Sequence, residues 1–129
     1  MNKKYINMLG IFLILVIYLV SGINKVFTFN NVATSINKLN IFNKLGLTIS
    51  KLALLIIILI WTFGSLFLLY CKYTDNNLLG KYISSAFIIF TLIITLYYHF
   101  PSDKSQTIHF MKNLAIIGGL INIYSSFIQ

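Results

Sequence analysis

Four windows of this sequence are apolar for long enough to cross a lipid bilayer, and they leave few alternatives open to the fold. A crossing takes about 20 mainly apolar residues at roughly 1.5 Å of helical rise each. Residues 5–23, 52–71, 82–100 and 110–127 qualify, within a chain of 129 residues read as one domain, 1–129. Each window is bounded by lysine or a polar cluster, and tyrosines such as Tyr5, Tyr73, Tyr82, Tyr97 and Tyr124 stand near the ends, as in an aromatic belt. A backbone in lipid must satisfy its own hydrogen bonds, so spans of this length are expected as helices. A cleaved leader is the rival for the first window. Its apolar run is too long, and Val20-Ser21-Gly22 makes a poor cleavage site.

Composition closes the soluble alternative. The chain is 58% hydrophobic and 9% charged, with a mean hydropathy of +0.87, whereas a soluble domain carries about a quarter charged residues. The net charge of +8 comes from ten lysines set against Asp75 and Asp103, with no arginine or glutamate. Lysines scattered at span ends hold loops to anionic headgroups at about 1 kcal/mol each and make no folded basic surface for nucleic acid. Cys71 stands alone, which excludes an intramolecular disulfide, a CxxC pair and a thiolate cluster.

The connection after the first window carries its own pattern. Apolar residues at 29, 32, 33, 36 and 39 recur at helical spacing, with Asn37, Lys38 and Asn40 largely off that face. The expected architecture is all-α: a membrane four-helix bundle with a short amphipathic helix between spans one and two. Residues 72–81 read as a tight polar turn, and Pro101 as the end of the third span.

Four crossings place both termini on one side of the membrane. The positive-inside rule does not choose which side, because six lysines on the loop side face four lysines and the amino terminus on the other. The same parity gathers Lys25, His99, His109, Lys112 and Asn113 at one face. Taken singly, Lys25 and Lys112 read as snorkelling anchors and the histidines as solvated loop residues. His99 and His109 are too far apart in sequence for a compact metal motif, so no metal site is expected. No carboxylate lies in any window to orient a histidine for Ser/His/acid catalysis. Hydroxyls of the third window are expected to bond their own backbone. Gly118 and Gly119, beside Lys112-Asn113-Leu114-Ala115, fit close helix–helix packing in lipid.

Several pieces together resemble the DoxX-like family of small membrane proteins. They are Ser21-Gly22-Ile23-Asn24-Lys25 at the exit of the first span, Gly64-Ser65 in the second, Tyr98-His99-Phe100, and the stretch from His109 through Lys112-Asn113 to Gly118-Gly119-Leu120. The resemblance extends over nearly the whole chain. It implies a four-helix membrane bundle, a multi-pass location, and a role as a quinone- or sulfur-linked subunit of a membrane oxidoreductase. The positions it carries over are Gly22, Lys25, Gly64, His99, His109, Lys112, Asn113, Gly118 and Gly119. One position departs: where many members have a glutamate three residues before the second-span glycine, this chain has Trp61.

Two functions follow as expectations. In the first, Lys25, His99, His109 and Lys112 form a cationic mouth for an anionic sulfur compound or a quinone carbonyl. Trp61 or Tyr98 stacks on the ring, and electrons pass through a bound quinone or through a membrane or soluble partner subunit, since no intrinsic cofactor is expected. In the second, the chain is a non-catalytic scaffold, assembly or lipid-binding protein, its lysines hold headgroups, and Gly22, Gly64, Gly118 and Gly119 only pack helices, within the chain or in a homo-oligomer.

Overall fold

A computed structural model describes residues 2–38, 40–98 and 104–128. Most of these residues are helical, with no strand among them, in the order α1 (Lys3–Phe27), α2 (Phe29–Asn37), α3 (Asn40–Leu45), α4 (Leu47–Tyr73), α5 (Asn77–Tyr98) and α6 (Lys104–Ser125). Among the described residues, α1, α4 and α5 are long and apolar enough to cross a membrane. Their apolar side chains mostly face outward: the most apolar windows are only 22%, 22% and 28% buried. Leu13, Phe63 and Leu78 are each more than half exposed. Such surfaces need a lipid solvent.

The fourth apolar window is also helical, but α6 does not join that set of three. Its helix starts at Lys104, before the expected boundary at residue 110, and its first ten residues include Lys104, Gln106, His109, Lys112 and Asn113. Backbone hydrogen bonding carries the helix through residues that hydropathy counts against it.

The chain divides into two compact units, Leu15–Phe67 and the pair Met1–Ile14 with Leu68–Gln129. In the first, α2 lays its apolar face on α4. Buried Ala33 and Ile36 meet Leu54 and Ile58, with Phe29, Val32 and Phe42 packed around them. The expected amphipathic helix is therefore present over Phe29–Asn37, followed by a separate short helix, α3. Leu39 lies outside the described residues. Gly46, at φ +94°, ends α3 in the left-handed region that a Cβ disfavours. Asn37 ties these pieces together, its amide nitrogen reaching the carbonyls of Phe42 (3.1 Å) and Gly46 (3.3 Å) and the hydroxyl of Ser50 (3.2 Å).

In the second unit the α4–α5 turn is fixed by its own backbone. The Asn76 N–H donates to the Cys71 carbonyl at 2.9 Å and the Asp75 N–H to the Lys72 carbonyl at 3.4 Å, with Asp75 at φ 57°. This is the paired bonding of a Schellman ending. The Asn76 side chain then accepts from the Leu79 N–H at 3.2 Å, capping α5. Lys4 of α1 forms an ion pair with Asp75 at 3.0 Å. α5 packs on α6, and Gly80 lies so close to the Phe127 ring that a Cβ there has no room. The buried hydroxyls of Ser84 and Thr95 donate to the carbonyls of Gly80 and Thr91, one turn back on α5.

Candidate functional site

Among the described residues, Lys25 and Trp61 are candidates that the structure brings together. Lys25 stands in the last turn of α1. Helical side chains lean toward the N-terminus, and this one does so fully: its ammonium donates to the Ser21 hydroxyl at 2.6 Å. It also sits 4.5 Å from the centroid of the Trp61 ring, inside the range of a cation–π contact, worth about 0.5–2 kcal/mol. Tyr18, one turn further back, meets Trp61 edge-on, with centroids 5.5 Å apart and planes at 76°. Both rings are buried, Tyr18 at 4% and Trp61 at 9% exposure.

Glycine sets this register. A Cβ on Gly22 would stand 2.7 Å from the Thr62 methyl and 3.7 Å from the Ile58 carbonyl, so α1 approaches α4 closely at that level. Thr62 keeps its hydroxyl on the Ile58 carbonyl at 2.6 Å, which leaves the methyl to face Gly22. The snorkelling expected of Lys25 is not what the geometry shows. A snorkelling lysine reaches out toward the helix end, whereas this ammonium turns back along α1 to a hydroxyl and a ring face. The resulting arrangement sets a cationic donor beside two buried aromatic rings.

His109 and Lys112 are exposed and Asn113 half-buried, all on α6 in the other unit. His99, with Phe100, Pro101 and Asp103, lies outside the described residues. Gly119 packs against Ile14, whose Cδ1 would lie 2.8 Å from an added Cβ, while Gly118 faces open space; the two glycines thus differ. Gly64 is half-buried in α4. Among the described residues no group of three histidine, cysteine or acidic side chains could hold a metal ion, and Cys71 is a buried free thiol.

One polar residue that the sequence pattern did not single out is Lys72. It is only 8% exposed, donates to the Ser126 carbonyl at 2.8 Å and lies 5.0 Å from the Phe127 ring centroid. It thereby satisfies the chain just past the C-terminal end of α6, where carbonyls lack helical partners. Its sequence signal, a lysine at a span end, is shared with most lysines of the chain. Comparison of the sequence with models of protein families, with curated proteins and with solved structures gives no match to any of them.

Proposed function

We propose that the protein is a DoxX-like integral membrane protein in which α6 adds a fourth crossing to α1, α4 and α5. On this reading it serves as a quinone- or sulfur-linked subunit of a membrane oxidoreductase. The observation that carries the reading is the Lys25 ammonium, in the last turn of α1, turned back along the helix over the Trp61 indole. An ammonium is costly to hold in hydrocarbon, and ionisable groups within spans mark ligand paths more often than packing. Lys25 would donate to a quinone carbonyl or an anionic sulfur oxygen, with Trp61 and Tyr18 flanking the ring. Electrons would come from a partner subunit.

Trp61 is the only tryptophan of the chain, so its fluorescence reports this site directly. Titrating the detergent-solubilised protein with a short-chain quinone should give saturable quenching, weakened at least about tenfold by Lys25→Met, the loss of one charge-assisted hydrogen bond. Quenching that stays linear with quinone, or that is unchanged in Lys25→Met, contradicts the reading.

A second reading has its own observation. Trp61 stands where the resemblance leads one to expect a glutamate, and Lys25 is held by Ser21 and the indole face. In this reading the pair closes a non-catalytic scaffold. It predicts that Lys25→Met alters stability without altering the retention of any quinone.

A further inference from the structure

Of the four longest helices among the described residues, α6 is the one not apolar enough over its length to count as a membrane span. Its polar residues crowd the first ten positions, and the stretch from Leu114 onward is mostly apolar. Within that first part Lys104, Ile108 and Lys112 follow spacings of four, forming one row along about 12 Å of helix. All three are exposed, Ile108 at 69%, and Met111 beside them at 59%. His109 is exposed next to the row. Cations and large apolar side chains therefore alternate on one outward surface. That is the chemistry of a helix segment at the headgroup level, its apolar groups in the acyl boundary and its ammonium groups at phosphates.

Charge complementarity names the occupant. The chain has two carboxylates. Asp75 is paired with Lys4 at 3.0 Å, and Asp103, which precedes Lys104 in sequence, lies outside the described residues. We infer that the first three turns of α6 form a binding surface for an anionic phospholipid, with Lys104 and Lys112 holding its phosphate group and Ile108 and Met111 against its acyl chains. The inference does not rest on the redox reading, since it uses neither Lys25 nor Trp61. It also accounts for the polar start of α6: the turns before about residue 110 stand in the headgroup layer, and Lys112, at the start of the crossing, reaches that layer by leaning toward the helix N-terminus.

The test is native mass spectrometry of the full chain in mild detergent, with phosphatidylglycerol and phosphatidylcholine of identical acyl chains as probes. Phosphatidylglycerol should bind the more tightly. Lys104→Gln with Lys112→Gln should weaken it about 30-fold, at the energy of two interfacial lysines, and leave phosphatidylcholine unchanged. Lys3→Gln with Lys44→Gln, two exposed lysines and the same change in charge, should retain most of the binding. If the glutamine pair on α6 unfolds, Lys104→Arg with Lys112→Arg replaces it and should keep the preference. Equal losses in the two glutamine pairs, a preference absent from the unmodified chain, or one lost in the arginine pair would each overturn the inference.

Discussion

Lys25 and Trp61 lie in different helices, yet their contact is the most specific chemistry the fold offers. Replacing Lys25 with methionine keeps the bulk of the side chain and removes the charge from the indole face. The expected outcome is a shift in the emission of the sole tryptophan and a loss of about 0.5–2 kcal/mol, read from thermal unfolding in detergent. Trp61→Leu should produce a similar loss, and the double variant should cost less than the sum of the two, as contacting partners do. The glycines divide in the same residue-level way. Gly22→Leu must push against Thr62 and should weaken the chain by more than about 2 kcal/mol, whereas Gly118→Leu, with open space around it, should be close to neutral. Equal damage at both positions would show that Gly118 packs against something outside the chain. Sequence made Lys25, Trp61 and the glycines individually visible. It could not make the contact visible, because the α1–α4 register depends on a methyl of Thr62 meeting a missing side chain at Gly22. Nor could it separate Gly118 from Gly119, which differ only in which side of α6 they occupy.

Among the elements, the α2–α3 hairpin shows how far periodicity reaches. The apolar spacing at 29, 32, 33 and 36 correctly marks the face that meets Leu54 and Ile58. The division into two helices was not legible, since it follows from Asn37 bonding forward to Phe42, Gly46 and Ser50. Asn37→Ala should leave those groups without this donor and cost about 1–3 kcal/mol. Hydrogen exchange should then rise over Phe29–Asn37 and not in α5. At the other unit, Lys72→Met removes a charged donor from the Ser126 carbonyl, so exchange should accelerate over the last turn of α6 while α1 is unaffected. Boundaries set by apolarity alone fell short at α6 for a physical reason. Hydropathy registers where lipid ends, while the helix continues through Lys104–Asn113 on its backbone bonds.

For the molecule as a whole, the strongest constraint is the outward apolar surface of α1, α4 and α5. Composition announced it, because a chain with 9% charged residues has too few groups to face water on every helix. What separates three crossings from four is α6, whose polar turns before about residue 110 we assign to the headgroup layer. Cysteine accessibility tests that count most directly. In a Cys71→Ser background, Asn2→Cys, Lys44→Cys, Lys104→Cys and Ile128→Cys are introduced singly and exposed to a membrane-impermeant maleimide from one side of sealed vesicles. Four crossings predict that positions 2 and 128 label together from one side and positions 44 and 104 together from the other. Labelling of 2 and 128 from opposite sides, or of all four from the same side, would contradict a four-span membrane protein.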